Sequence, residues 1–328
     1  MWNRRNVLSL TALTLAATAS PVWAQATGPK FPSRPVTMVV PFSAGGVTDQ
    51  IARALAQTMG HTLGQPVVID NKPGGGGQIA ANTVKQAPAD GHTVFIAATE
   101  MFAINQNLFR NFSYDPLKDF TPITSLISTP MVLVVPANSS VNTVQELIQE
   151  AKTHKSGLNF ASQGVGSIGH LLGELFRGQL GGQYSHVAYK GSAPALQSLM
   201  AGQVDMMFDV FSTAGPLVAA KKLKPLGVAA AIRSPQYPNV PTLSELGIKG
   251  VDADVWFGAV AKAGTPKSAI DKLNEAFLKA LMEPSVLKRF SDQAMQPFPS
   301  TPAQFGSFMQ AETARWAPLI KASGASID

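Results

Sequence analysis

Short apolar runs with the pattern of β-strands alternate with helical patterns along most of the chain, and this alternation constrains the fold more than any other feature. Alternation of this kind favours parallel α/β sheets. The chain has 328 residues, and two domains fit that length better than one. The predicted strands cover residues 37–40, 67–69, 94–97, 131–135, 158–161, 187–189, 205–208, 226–230 and 256–261.

Three of these strands run into loops rich in glycine and small polar residues, at 41–49, 163–170 and 190–194, and each loop opens into a helix. The first N–H groups of a helix are unpaired and carry partial positive charge, so they suit an anion. In open α/β sheets, ligands bind at the carboxyl ends of the strands. The three loops together predict a cradle for a carboxylate or phosphate. The first loop alone also fits an ordinary turn, with Thr48 as N-cap and Asp49 in the first helical turn.

The first residues have the features of an export signal. Arg4 and Arg5 form a basic start, residues 7–19 are apolar but too few to span a bilayer, and small residues around Ala24 offer a cleavage site. We expect residues 1–24 to be a signal peptide cleaved after Ala24, and the mature protein to be a soluble periplasmic protein. The paired arginines also fit a twin-arginine signal, so the general secretory and twin-arginine routes both stay open.

The charge of the chain gives little indication of a nucleic-acid partner. The formal net charge is +6, and Arg4 and Arg5 of the signal peptide contribute two of these charges, which leaves +4 for the mature chain. Its lysines are scattered except at residues 221–224, where a helix end or a solvated face is the better interpretation. We therefore expect no nucleic-acid partner.

The C-terminal segment differs from the rest because helical patterns follow one another there, at residues 266–281, 285–293 and 303–322. No strand is predicted after residues 256–261. We therefore expect the chain to cross into a second domain near Thr129, to return near Val251 and to end on the surface of the first domain. The predicted first lobe comprises residues 30–128 and 252–328, and the second lobe comprises residues 129–251.

A set of short motifs, in this order, resembles the Bug-type receptors, the extracytoplasmic solute-binding proteins of tripartite tricarboxylate transporters. Each motif alone is weak, but the set covers essentially the whole mature chain. The motifs are Pro41-Phe42-x-x-Gly45-Gly46-x-x-Asp49, Asn71-Lys72-Pro73-Gly74, Tyr114-Asp115-Pro116-x-Lys118-Asp119-Phe120, Ser162-x-Gly164-x-Gly166-Ser167 with His170, Tyr189-Lys190-Gly191-x-x-Pro194-Ala195, Gly202-Gln203-Val204-Asp205 and Pro238-x-Val240-Pro241-Thr242.

The resemblance implies an α/β, two-lobed periplasmic-binding-protein fold of the Venus flytrap type (type II), in which each lobe is a mostly parallel sheet flanked by helices. It also implies that a small organic carboxylate binds in the cleft between the lobes without chemical conversion, held largely by backbone N–H groups. Glycine suits such loops because it lets the backbone approach a ligand closely. The residues implied are Phe42, Ser43, Ala44, Gly45, Gly46 and Thr48 of the first lobe, and Ser162, Gln163, Gly164, Ser167, Tyr189, Lys190, Gly191 and Ala193 of the second.

Residues 97–102 depart from the usual family pattern, because an acid stands beside bulky apolar groups at the end of a strand. Thr99 and Glu100 are therefore candidate ligand contacts, and Glu100 would meet an amine, a hydroxyl or a ring N–H group. The alternative places Glu100 in the first turn of the next helix, where the helix dipole favours it. Asp209 has the same two interpretations, as a ligand contact or as a cap of the following segment.

An enzymatic function is the less favoured alternative. Residues 164–169 spell G-x-G-x-x-G, but Tyr189-Lys190 stands at the strand end where a dinucleotide site needs an acid. The sequence has no cysteine, no G-x-S-x-G motif and no metal-binding spacing among its five histidines. We expect no cofactor, no metal and a monomeric receptor that serves the membrane subunits of a tripartite transporter. A periplasmic sensor that signals to a membrane kinase uses the same fold and stays an alternative.

Overall fold

The computed structural model describes residues 31–251 and 253–328, so the predicted signal peptide lies outside the described residues. Ten strands of this part form one continuous hydrogen-bonded array, with the main order β2-β1-β3-β9-β4-β7-β5-β6. The strands are β1 (Val36–Val40), β2 (Val67–Asn71), β3 (Thr93–Ala98), β4 (Phe120–Pro136), β5 (Leu158–Ser162), β6 (Tyr184–Ala188), β7 (Met206–Val210), β8 (Leu223–Ala229), β9 (Asp254–Lys262) and β10 (Gln296–Pro297).

Helices cover this array. They are α1 (Val47–Leu63), α2 (Gln78–Gln86), α3 (Asn105–Leu108), α4 (Val144–Thr153), α5 (Ile168–Leu180), α6 (Ser192–Met200), α7 (Phe211–Ala219), α8 (Lys267–Leu281), α9 (Pro284–Ser291) and α10 (Pro302–Ser323). Gly75–Gly77 form a 3₁₀ turn and Glu100–Ile104 form a π-helical turn. None of the helices in residues 31–251 and 253–328 combines the length and apolar character that a membrane span requires.

The first sheet is built on the parallel strands β2, β1 and β3. Val36, Met38 and Val40 of β1 are fully buried, as expected for a parallel strand covered on both faces. Strand β9 is antiparallel to β3 and to the first part of β4, and β10 pairs with β4 at the edge. The loops rich in glycine and small residues in this half therefore follow parallel strands, whereas the antiparallel strands β9 and β4 connect it to the second sheet.

The second sheet repeats this plan with the parallel strands β6, β5 and β7. Strands β7 and β8 are antiparallel to the last part of β4, from Met131 to Pro136. One continuous strand, β4, therefore belongs to both sheets, because its residues up to Pro130 pair with β9.

The structure corrects two details of the predicted elements. Strand β4 begins at Phe120, about ten residues before the predicted start at residue 131, because Thr, Ser and Pro interrupt the apolar pattern of its first half. Strand β10 follows β9, although no strand was predicted there, because two residues are too short for any periodicity.

The C-terminal helices pack on the first sheet through aromatic residues. Helix α10 starts with a capping box in which Thr301 and Gln304 satisfy each other's backbone N–H groups. Trp256 of β9 stacks on Phe102 and meets the edge of Phe305 of α10, and its Nε1 donates to Glu312 Oε2 at 2.9 Å. These contacts fix α10 across β9 and support the strand that forms part of the candidate site.

Candidate ligand-binding cleft

A cleft of about 480 Å³ opens between the loops of the two sheets. Its floor is formed by β4 and β9, and its walls are formed by the loops that follow β1 and β3 on one side and β5, β6 and β7 on the other. The lining residues are Phe42, Ser43, Ala44, Gly46, Val47, Thr48, Ala98, Glu100, Thr129, Met131, Gln163, Ser167, Ile168, Gly169, Gly191, Ser192, Asp209, Val210, Thr213, Val255 and Phe257.

Four helices of the described chain begin at this cleft: α1, α5, α6 and α7. Because the first N–H groups of each helix have no intrahelical partner, the four starts bring partial positive charge to the cleft. Among the described lining residues, the charged side chains are Glu100 and Asp209, and no lysine or arginine is present. An anion bound here would therefore be held by backbone N–H groups and hydroxyl groups.

The loop after β1 is fixed from behind by the buried carboxylate of Asp49. Its Oδ2 accepts the Gly45 N–H at 2.8 Å and the Arg53 Nε–H at 2.8 Å, and its Oδ1 accepts from Asn71 Nδ2 at 3.1 Å. The hydrogen bond from Arg53 lowers the pKa of Asp49 most, against the opposing effect of burial. Gly46, not Thr48, is the N-cap residue of α1. Asp49 therefore fixes the conformation of the loop. The sequence-based prediction assigned it only a favourable interaction with the dipole of α1.

Most of the predicted first-loop residues face the cleft. Phe42, Ser43, Ala44, Gly46 and Thr48 line it. Gly45 does not line it, because its N–H group points back to Asp49. Gly45 has a φ of +86°, a conformation that glycine adopts without strain, so its role is to turn the chain.

The loop after β5 is held together by hydroxyl and imidazole groups. Ser162 Oγ accepts the Gly164 N–H at 3.1 Å, and Ser167 Oγ donates to the Gly164 carbonyl at 2.8 Å. His170 Nδ1 accepts the Gly166 N–H at 3.0 Å. Ser167 is the N-cap of α5 and lines the cleft with Gln163, whereas Ser162 and Gly164 lie behind them.

A stack of aromatic rings supports this loop. The rings of His170 and His186 lie 3.9 Å apart, and His186 stacks in turn on Phe160 at 4.8 Å. Burial lowers the pKa of His170 to about 4 and also lowers the pKa of His186. His170 is therefore neutral at pH 7, which leaves its Nδ1 free to accept the Gly166 N–H. The sequence singled out His170 only as part of a motif and did not predict His186.

The side chain of Asp209 organises the opposite wall. It is fully buried, and its Oδ1 accepts from Gln163 Nε2 at 2.8 Å and from Ser192 Oγ at 2.7 Å. Its Oδ2 accepts from Thr213 Oγ1 at 2.7 Å. Burial raises the pKa of Asp209, and the hydrogen bonds from Thr213, Ser192 and Gln163 oppose this effect. Asp209 thus orients three polar side chains that line the cleft.

The remaining predicted residues of the second sheet divide into two groups. Gly191 lines the cleft next to Ser192 at the start of α6. Tyr189 does not line it, since its N–H donates to the Ser162 carbonyl at 3.1 Å and its hydroxyl bonds to Ser198. Lys190 and Ala193 are exposed and lie outside the lining.

Glu100 faces the cleft at the end of β3, whereas its neighbour Thr99 does not line it. Thr99 Oγ1 accepts the Trp256 N–H at 2.9 Å and donates to the Trp256 carbonyl at 3.1 Å, so it fastens β3 to β9. Glu100 Oε2 is buried without a hydrogen-bond partner in the described part of the chain. Burial raises the pKa of Glu100, and backbone N–H groups of Glu100 itself and Ile168 partly offset this.

Sequence reasoning missed the floor and several wall residues. The floor residues come from β4 and β9, whose positions in the cleft follow from a strand crossing that no local motif encodes. Ser192 and Thr213 each follow a strand end closely, and this spacing alone could have identified them. The missed residues are Val47, Ala98, Thr129, Met131, Ile168, Gly169, Ser192, Val210, Thr213, Val255 and Phe257.

Residues 31–251 and 253–328 contain no group of three or more His, Asp or Glu side chains arranged to hold a metal ion. The lining of the cleft offers hydrogen bonding from backbone N–H groups and hydroxyls, apolar contact on the floor, and the two acids.

Comparison with known proteins relates the chain to transport receptors. Residues 51–325 match the family described as the tripartite tricarboxylate transporter family receptor, TctC. A protein of Pseudomonas sp. strain P51, described as a UPF0065 protein in the tcbD-tcbE intergenic region, is 37% identical over 318 residues, which are 97% of this chain and 94% of that protein.

Two solved structures extend this similarity to the fold. The structure of the periplasmic binding protein BugD is 33% identical and matches with a TM-score of 0.80, covering 90% of this chain and 99% of BugD. An R. palustris protein solved with adipate is 36% identical and matches with a TM-score of 0.82, covering 90% of this chain and 99% of that protein.

Proposed function

The chain belongs to the TctC family of tripartite tricarboxylate transporter receptors, and from this premise we propose that it captures a small organic carboxylate in the cleft between two lobes. Family membership confirms the resemblance found in the sequence. The proposed lobes are residues 30–128 with 252–328, and residues 129–251. The change of partners along β4, from β9 up to Pro130 to β7 and β8 from Met131, supports these bounds.

The observation that carries the proposal is the convergence of four helix starts on an apolar cleft without a lysine or arginine among its described lining residues. A carboxylate suits this arrangement, because several N–H donors distribute its charge. The apolar side chains of Met131, Val255 and Phe257 provide a surface for the ligand's hydrocarbon part. A relative solved with adipate supports a carboxylate ligand.

We propose that the protein binds its ligand without converting it. The hydroxyl of Ser167 donates to the Gly164 carbonyl, and the imidazole of His170 is engaged by the Gly166 N–H behind the loop. Ser162 Oγ bonds to His186 Nε2 at 2.7 Å, but both residues lie outside the cleft lining, so this pair is not aimed at the cleft as a nucleophile and its base would be. Family members are binding receptors, which supports the same conclusion.

We further propose a periplasmic location, with residues 1–24 removed after Ala24, and a monomeric receptor that delivers its ligand to the membrane subunits of a tripartite transporter. The periplasmic relative BugD supports the location. The family description supports the transporter as partner.

The test is a thermal-shift screen of aliphatic, amino-acid and aromatic carboxylates on the mature chain, followed by calorimetry. A ligand at 100 times its dissociation constant should raise the free energy of unfolding by about 2.7 kcal/mol. We expect saturable binding of one ligand per chain and recovery of the ligand unchanged by mass spectrometry. Formation of a product would contradict the proposal, as would binding that does not depend on the carboxylate group.

A further inference from the structure

The fold uses the carboxyl group of Glu100 only in part, through the backbone N–H groups of Glu100 itself and Ile168. Its side chain lines the cleft, and its Oε2 is buried without a hydrogen-bond partner in residues 31–251 and 253–328. A buried acceptor without a donor is costly, whereas a donor brought by a ligand removes that cost. Glu100 therefore favours a ligand that carries a donor.

The second acid of the same cleft shows what a structural carboxylate looks like here. Both oxygens of Asp209 accept hydrogen bonds from side chains, namely those of Gln163, Ser192 and Thr213. Glu100 Oε2 has no such donor, although its side chain reaches toward the start of α5 on the opposite wall. The two acids therefore differ: both oxygens of Asp209 are engaged by side chains, whereas Glu100 keeps one oxygen without a partner among the described residues.

We propose that Glu100 accepts a hydrogen bond from an amine or other N–H group of the ligand, so that this receptor prefers carboxylates that also carry such a group. This inference rests on the proposed carboxylate-binding function. The helix starts receive the ligand's carboxylate, the apolar floor receives its body, and Glu100 receives its nitrogen. Three chemically different parts of one ligand thus meet three different parts of the cleft.

The same geometry disfavours a ligand whose second polar group is another carboxylate. Two carboxyl groups brought together where the described lining offers no lysine or arginine cannot both ionise without a large cost, so one must retain a proton. An ammonium group instead gives a charge-assisted hydrogen bond with Glu100. The cleft should therefore discriminate between ligands of equal length that differ only in this group.

The test uses two matched series and calorimetry at pH 7.5 on the mature chain. The aliphatic series is 6-aminohexanoate, hexanoate and adipate, and the aromatic series is 4-(aminomethyl)benzoate, 4-methylbenzoate and terephthalate. In at least one series, the amine should bind about tenfold or more tightly than the methyl and dicarboxylate members. Glu100→Gln keeps the shape of the side chain and should reduce the affinity for the amine about tenfold, while the affinity for the methyl member changes less than about threefold.

A matched control is Glu275→Gln, because Glu275 is an exposed residue paired with Lys279 on α8, away from the cleft. It should leave all affinities unchanged, and melting temperatures report whether each variant folds. Equal binding of the amine and methyl members, or equal losses of both in Glu100→Gln, would overturn the role of Glu100 and leave the carboxylate receptor intact. Absence of binding by all six compounds would overturn the amine preference, whereas the carboxylate-binding function is decided by the wider thermal-shift screen.

Discussion

Single residues of the cleft act mainly by shaping the loops that would meet the ligand. Asp49 and Asp209 illustrate this, because each is buried, accepts several hydrogen bonds and fixes groups that face the cleft. The hydrogen bonds of Asp49 and Asp209 show that their carboxylates are engaged by neighbouring groups.

Gly191 tests whether the start of α6 approaches the ligand. It lines the cleft at φ +107°, and a Cβ added there would meet no protein atom within 4 Å. We expect Gly191→Ala to lower carboxylate affinity about tenfold, because the methyl group occupies space at an anion-binding helix start. The control is Gly247→Ala, which has a similar strain at φ +84° in open space outside the cleft lining. Equal affinities in calorimetry would remove Gly191 from the binding surface.

His170 should make stability depend on pH. Its pKa is lowered to about 4 from 6.5, chiefly by burial and then by His186 and Arg177. Because the unfolded chain takes up the proton first, this contribution to the free energy of unfolding is fully present above about pH 6.5 and is lost as pH falls toward about 4. Its size is on the order of 3 kcal/mol.

The measurement is urea unfolding between pH 4 and 8 for the wild type and for His170→Gln. The variant should lose part of the decline in stability between pH 6.5 and 4. Glu174 Oε1 lies 3.9 Å from His170 Nε2 and would moderate the effect by stabilising the imidazolium. His154→Gln, at an exposed position, is the control and should keep the slope of the wild type. Parallel curves for all three proteins would contradict this assignment.

At the scale of elements, the loop after β5 meets a helix of the first sheet. A Cβ added to Gly166 would lie 2.0 Å from Leu108 Cδ2 at the end of α3, so the two elements touch without room for a side chain. Gly166 has a φ of +78°. This contact joins the proposed lobes beside the cleft.

We expect Gly166→Ala to favour separation of the lobes and to weaken ligand binding about tenfold, because the closed arrangement alone offers donors from both walls. Gly202→Ala is the matched control, since Gly202 has a φ of +70° and open space around it. Calorimetry and melting temperatures of both variants make the measurement. Leu108→Ala in the Gly166→Ala background should restore part of the affinity. If Gly166→Ala does not weaken binding and the double variant binds no more tightly, the contact between Gly166 and Leu108 has no role in closure.

The elements also show how far sequence reasoning reaches. The strand runs and the three C-terminal helices were predicted near their observed bounds, because their apolar periodicity is strong. The first half of β4 was missed, since Thr121, Pro122 and Ser125 break the pattern and only pairing with β9 makes it a strand. The glycine loops were located correctly, but which N–H groups face the cleft depends on distant partners such as Asp49 for Gly45.

For the whole molecule, the two-lobed α/β class predicted from the sequence is confirmed by the structural relatives. The positions of the lobe boundaries stay predictions. Glu100 and Asp209 were both proposed as possible contacts from their strand-end positions, yet only their hydrogen-bond partners distinguish them. A sequence motif can place an acid at the end of a strand, but it cannot show which carboxylate oxygens already accept hydrogen bonds from the protein.

Ligand binding should reduce the dimensions of the whole molecule. An open form would offer donors from one wall at a time, so a ligand that bridges both walls would shift the population toward closure. Small-angle scattering with the tightest carboxylate from the screen should give a smaller radius of gyration than without it. Identical scattering curves at demonstrated saturation would favour a binder that is closed beforehand.

Strand β4 runs without interruption from one sheet to the other, and with β9 it also forms the floor of the cleft. A ligand in the cleft would therefore rest on the same pair of strands that would bend if the lobes moved. A ligand that is too long would hold the lobes apart and keep β4 and β9 from bending. A ligand that is too short would leave part of the cleft empty when the lobes close. The length of the bound ligand would then determine the angle between the two lobes.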